Sequence, residues 1–232
     1  MSLYQSVADD LREAILSGRF APGDRLPAEA DLCTEYGVSR STVREALRVL
    51  ASQNLVATAR GVSGGTFVAL PKASEIRSYL ENSFGMLTVH DEVPVDALLE
   101  ARDVLEVPAA GLAAQRADAA AIAGLRATIV DVETTDFDRI QECNHLFHAL
   151  LVEAAGNPLL EVVTRPVFSV LVSRSVHEPV VGNAYWSIVV EDHRLILEAV
   201  EAGDAEEARS RMRAHLDRLR ATYASGLALG PA

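Results

Sequence analysis

A chain of 232 residues is long enough for two domains, each able to bury its own core. Its 21 Lys and Arg stand against 33 Asp and Glu, and a net charge of -12 excludes a protein that grips nucleic acid or a membrane surface through its overall field. No apolar run reaches the roughly 18 residues of a membrane span and the N-terminus lacks the basic and apolar regions of a secretory signal, so a cytoplasmic protein with no membrane partner is expected.

The charge is unevenly divided. Residues 1–72 hold eight Lys or Arg against eight Asp or Glu, whereas residues 73–232 hold thirteen against twenty-five. Cys33 and Cys143 fall in different predicted domains and form no metal-type pair, so both are expected as buried thiols in a reducing compartment.

In chain order, the first predicted element is a short helix from about Ala28 to Tyr36, with Ala30, Leu32 and Cys33 as its apolar positions, closed by Gly37 where a tight turn is required. The next begins at Ser39, a good N-cap. Val43, Ala46, Leu47 and Leu50 then recur at i, i+3, i+4 and i+7 and form one buried stripe. Arg40, Arg44 and Arg48 share another face one turn apart, the spacing that meets phosphates or guanine edges along a major groove. Ser41 and Thr42 add hydroxyl donors at the helix N-terminus, which itself favours a phosphate. Three arginines at helical spacing are by themselves as compatible with a solvated basic face.

Leu55, Val56 and Ala57, then Gly61, Gly64 and Gly65, then Thr66, Phe67 and Val68 read as strand, tip and strand, a two-stranded wing. With PGDRLPAE at 22–29, GVSRSTVREAL at 37–47 and RGVSGGTFV at 60–68 in this order, the stretch from Tyr4 to Val68 resembles the GntR family of bacterial winged helix-turn-helix regulators. That resemblance implies contacts to operator DNA from Arg40, Ser41, Thr42 and Arg44, with Arg60 and Gly61 of the wing reaching the minor groove. Ala30 departs from the pattern, because many members carry a basic residue just after the Pro-x-Glu.

Beyond Leu70-Pro71-Lys72 the strand signals stop, and amphipathic helices are predicted at 73–89, 94–116, 118–133, 136–155, 158–177, 184–202 and 204–224. Pro108 is expected to kink or locally break the second of these. The predicted layout is therefore mainly α: a winged helix-turn-helix domain at 1–70, a linker at 71–74, an antiparallel all-helical domain at 75–226 and a tail at 227–232.

Histidine placement carries the functional reading of the helical part. Asn144 and His148 lie at i and i+4 on one helix, while His193 and His215 lie on the last two, so three imidazoles can face one point. Imidazole suits zinc, nickel and related divalent ions, although histidines on helices are more often surface or hydrogen-bonded core groups. His145, about a hundred degrees from Asn144, and His90 and His177, near predicted helix ends, are left out of the set.

The segments ECNHLFHALLVEAAGNPLL, EDHRLILEAV and EAGDAEEARSRMRAHL resemble the FCD effector domain of the FadR-type GntR regulators, over most of residues 75–224. The resemblance implies a divalent metal, zinc or nickel, on Asn144, His148, His193 and His215, with Asn144 standing where many members have Asp. It also implies that Arg102 faces the cavity and pairs with an effector carboxylate; an i,i+4 pair with Glu106 is the alternative. The expected function is a ligand-responsive regulator, most simply a repressor, binding a pseudo-palindromic operator as a homodimer and sensing a small organic carboxylate. An enzyme is the second reading, with metal-activated water and Glu106 or Asp192 as base. No nucleophile triad, nucleotide-binding glycine motif or cofactor-attaching lysine accompanies it.

Overall fold

The computed structural model describes residues 2–61, 64–90, 92–173 and 178–224, and the chain divides into two compact units, 1–72 and 73–232. The predicted tail at 227–232, the last residues of the predicted 158–177 helix and His177 lie outside the described residues.

Helical spacing of Val7, Ala8, Leu11 and Ala14 makes Leu3–Leu16 a helix, α1, whose apolar side is buried. Gln5 reaches back to the Ser2 amide at 3.3 Å and so satisfies an end donor that the helix cannot. The helix α2 (Glu29–Tyr36) stops at Gly37, which takes the left-handed conformation (φ 65, ψ 32) that a side chain would oppose. Leu32 alone of its predicted apolar positions is fully buried. Ala30, two residues away and so on the opposite side of the helix, is exposed, and Cys33, on the flank, is half-buried.

The helix α3 (Arg40–Ser52) starts where the Ser39 hydroxyl accepts from the Thr42 amide, and it buries Val43, Ala46, Leu47 and Leu50, the stripe its periodicity gives. Strands β1 (Val56–Ala59) and β2 (Gly65–Val68) pair antiparallel, Val56 opposite Val68 and Ala59 opposite Gly65. The segment before α2 lies along β2, with Leu26 donating to Thr66 and Val68 to Asp24. Arg25 Nη2 donates to Gly64 at 2.6 Å, and a Cβ on Gly65 would stand 2.5 Å from Arg25 Nε, so a larger residue there would have to displace the Arg25 side chain. Val7, Leu11, Leu26, Leu32, Val43, Leu50, Val56 and Val68 form one core that joins the three helices to the wing.

The second unit is all-helical among the described residues: α4 (Ala73–Val89), α5 (Val95–Arg116), α6 (Ala119–Arg126), α7 (Phe137–Ala154), α8 (Pro158–Ser173), α9 (Glu178–Glu201) and α10 (Ala205–Ala224). Helix α5 is the central one, packed by α7, α8, α9 and α10. Of the kink or local break expected at Pro108, the break does not occur, and the helix is continuous through it. Ala109, Ala110, Gly111, Ala113 and Ala114 are buried there, and tertiary packing of these small residues holds the helix across the missing donor. Helix α6 ends at Arg126, short of the predicted 133, where Thr128, Ile129, Val130 and Val132 supply a β-branched run that disfavours helix. Helix α9 is interrupted at Gly182 (φ 57, ψ 175), just before the predicted start at 184.

Two apolar clusters fill this unit. One joins Val107, Phe147, Leu151, Ile196, Met212 and Leu216, and the other Leu98, Leu99, Ile140, Leu171, Trp186 and Val189. No helix among the described residues is long and apolar enough to cross a membrane.

Candidate functional site

The predicted DNA-facing side chains sit on the outside of the first unit. Arg40, Ser41, Arg44, Arg48, Arg60 and Gly61 are exposed and Thr42 is half-buried. The Ser39 hydroxyl lies 2.8 Å from both the Ser41 and Thr42 hydroxyls, a local cluster at the start of α3. Arg44 Nε donates to Glu29 at 2.8 Å and Arg48 Nη1 to Glu45 at 3.1 Å. The Arg44 side chain is 62% exposed, so this pair contributes at most about 1 kcal/mol and can be exchanged for a phosphate or a base edge. Arg40 makes no ion pair among the described residues. At the wing, Gly61 has φ 113, a backbone that favours glycine beside Arg60.

In the second unit, α7 presents His148, α9 presents His193 and α10 presents His215. All three are buried, and one ring nitrogen from each lies within 4.8 Å of the others. Asn144 is half-buried one turn before His148 on α7. Carboxylates fix two of the rings from behind. Glu106 Oε2 lies 2.6 Å from His148 Nδ1, and Asp192 Oδ2 lies 3.2 Å from His215 Nδ1. Arg218 Nε donates to Asp192 at 2.8 Å and steadies it in turn. A carboxylate on Nδ1 turns Nε2 toward a ligand, the arrangement usual behind metal-binding histidines, although the Nε2 of His148 also has Arg102 Nη2 at 3.4 Å. His193 is held differently, its ring stacked on Phe147 with centroids 4.0 Å apart, and its Nε2 is buried without a hydrogen-bond partner among the described residues.

Burial sets the charge states. It pushes His148 down to about 4, although Glu106 pulls the other way. Burial likewise lowers His215 and, with no carboxylate to oppose it, puts His193 well below the usual range. Three neutral imidazoles result. Burial raises the Glu106 carboxyl, but Arg102 and His148 together outweigh it and hold Glu106 ionised. This donor set fits a borderline divalent cation: neutral nitrogens, two of them oriented by carboxylates and one otherwise left as an orphaned polar atom.

Arg102 is 2% exposed, and it binds Glu106 through Nε at 2.6 Å and Nη2 at 3.2 Å. Its Nη2 also lies 3.3 Å and 3.4 Å from the two ring nitrogens of His148, and its guanidinium stands 4.7 Å over the Phe168 ring. The i,i+4 pair with Glu106 is therefore present, and the same arginine stands at the edge of the histidine cluster. His145, left out by its angle from Asn144, is three residues from His148 and so only about sixty degrees from it on the helix. It lines a cavity beside His148. Phe147, Phe168 and Thr164 were not read from the sequence, since a lone aromatic or hydroxyl in an amphipathic helix carries no signal. Arg218 was not read either, although its place one turn after His215 was visible.

With this geometry in hand, known proteins give consistent likenesses. Residues 3–68 match the family described as bacterial regulatory proteins, gntR family, and residues 97–218 match the FCD domain. The Uxu operon regulator of Haemophilus influenzae is 30% identical over 94% of this chain and 80% of its own length. The galactonate operon transcriptional repressor of Escherichia coli is 27% identical over 85% and 86%. Among solved structures, a GntR protein of Streptococcus agalactiae superposes with a TM-score of 0.61 at 24% identity, covering 94% of this chain and 99% of that one, a likeness of fold.

Proposed function

The chain belongs to the GntR family, as a DNA-binding transcription regulator with an FCD domain and not as an enzyme, and from that premise we propose that it is a homodimeric repressor released or recruited by a small organic carboxylate. Two copies of α3 would read two half-sites of a pseudo-palindromic operator through Arg40, Ser41, Thr42 and Arg44, with Arg60 and Gly61 in the minor groove. A divalent ion, zinc or nickel, would be held by Asn144, His148, His193 and His215. Bound there, it would supply a Lewis-acidic centre that attracts a carboxylate. Arg102 is proposed to meet the same carboxylate, sharing its fork between ligand and Glu106.

The single observation that carries this reading is the convergence of three buried, neutral imidazoles, two backed by carboxylates and one with an orphaned nitrogen. A related protein is named for the operon of galactonate, a hydroxylated carboxylate, which agrees with an organic acid as effector. An effector can act only through its different affinity for the DNA-competent and incompetent states. A coupling of about 1 to 3 kcal/mol, typical of such linkage, would change operator affinity about 5- to 150-fold.

The test is gel-shift titration of the chain's own promoter fragment against random duplex, with zinc or nickel and a panel of small organic acids. Preference for the promoter fragment, altered at least about fivefold by an acid in the presence of metal, is the expected result. No preference under any condition sinks the proposal.

A further inference from the structure

Of the three arginines that α3 turns outward, Arg44 is held from another helix. Its Nε donates at 2.8 Å to Glu29, the first residue of α2, fifteen positions earlier in the chain. Arg48 is paired within α3, with Glu45, and Arg40 has no ion pair among the described residues.

The contact is built in steps. Leu32, one turn after Glu29, is fully buried in the core that also holds Val43 and Leu50 of α3, and this sets how α2 is turned. Gly37 then closes α2 in the left-handed conformation, so that α3 follows after a short turn. Glu29 stands in the first turn of α2, where the partial positive charge of a helix start favours a carboxylate. Its place is fixed from within the protein, whereas the Arg44 side chain is 62% exposed and takes its direction from this partner.

Stability does not explain the pair. Glu29 is itself 39% exposed, and a solvated pair of this kind contributes at most about 1 kcal/mol. On a surface that must meet a polyanion, a carboxylate weakens binding. What it supplies is direction. With Nε taken by Glu29, the guanidinium leaves its two Nη groups for DNA, a fork that fits the N7 and O6 acceptors of one guanine. A phosphate meets an arginine whose charge is already matched, and one that replaced Glu29 would lie beside the displaced carboxylate.

We infer that Glu29 is a positioning residue for operator recognition: it presents the end of the Arg44 guanidinium to a guanine and weakens the hold of Arg44 on phosphates. This role rests on the reading of α3 as the DNA-reading helix and adds to it a residue that acts through Arg44.

The test is selection of binding sites from a random duplex library by the full chain, as wild type and as Glu29→Gln, with and without metal and small organic acids. Titrations of the selected site and of random duplex over a range of salt follow. Wild type should enrich a guanine in each half-site that Glu29→Gln no longer requires, with the other positions kept. Replacing that guanine should cost wild type at least about fivefold in affinity and the variant less than about twofold. Random duplex should bind the variant about fivefold more tightly than wild type at low salt, with a steeper salt dependence. Glutamine has the shape of glutamate, and an unchanged thermal midpoint checks that folding is kept. A guanine requirement equal in both chains, or random-duplex binding that Glu29→Gln leaves unchanged or weakens, overturns the role of Glu29 while DNA reading by α3 stands. No motif enriched by wild type under any condition overturns both.

Discussion

The two units place function on opposite sides of the water boundary. In the first, the proposed DNA contacts are exposed side chains on a core they do not help to hold together, and Arg44 and Arg48 rest in solvent-facing ion pairs that a phosphate can replace. In the second, the proposed effector machinery is the core: Arg102, Glu106, His148, His193 and His215 are all buried. Substitution should therefore separate function from stability in the first unit and couple them in the second.

The sharpest way to break that contrast is Arg102→Ala. It leaves the Glu106 carboxylate buried without its cation, and removing one partner of such a pair costs about 3 to 5 kcal/mol. Urea denaturation followed by the fluorescence of Trp186, packed in the second unit, should show that loss. A cost under about 1 kcal/mol would mean that the pair is not the element organising the cluster.

Chelation comes next. If the histidines hold a divalent ion, its binding stabilises only the folded state, and free metal at about a hundred times its Kd contributes about 2.7 kcal/mol. Metal analysis should find bound ion in the purified chain, and chelator should lower its melting midpoint. The double variant His148→Ala, His193→Ala should contain no metal and should no longer respond to chelator. A chelator-insensitive wild type would reduce the cluster to packing.

In the first unit, Arg44→Ala should cost about 1 to 3 kcal/mol of operator affinity if it reads a base, while stability moves by less than about 0.5 kcal/mol. Paired measurements of promoter binding and urea midpoint check both halves. A large stability loss without an affinity loss would reverse the comparison between the units.

This division also explains what the sequence made legible. The stripe Val43, Ala46, Leu47 and Leu50, the Ser39 cap and the turn at Gly37 depend on neighbours within one or two helical turns, so local pattern suffices. Helix α1 carries a comparable local stripe, Val7, Ala8, Leu11 and Ala14, so its periodicity too is legible without tertiary information. In the second unit, Asn144 and His148 share a helix and could be paired by spacing alone. Whether His193 and His215 join them depends on how α7, α9 and α10 pack, which periodicity does not fix. His145 is about a hundred degrees from Asn144 but only about sixty from His148, which places it on the cavity, and Thr164 has nothing in its sequence neighbours to mark it. The unexpected continuity of α5 through Pro108 has the same origin: local propensity gave the break, and burial of the surrounding small residues overrode it.

Thr164→Val is the smallest expected effect. Its hydroxyl is buried without a partner among the described residues, and an unsatisfied buried polar group carries a desolvation cost of about 1 to 3 kcal/mol. Valine keeps the β-branched shape that α8 accommodates and removes that cost, so the ligand-free chain should gain about 1 kcal/mol. Differential scanning calorimetry of the ligand-free chain and its valine variant measures that gain directly. Were the valine chain less stable without ligand, the hydroxyl would have a structural partner.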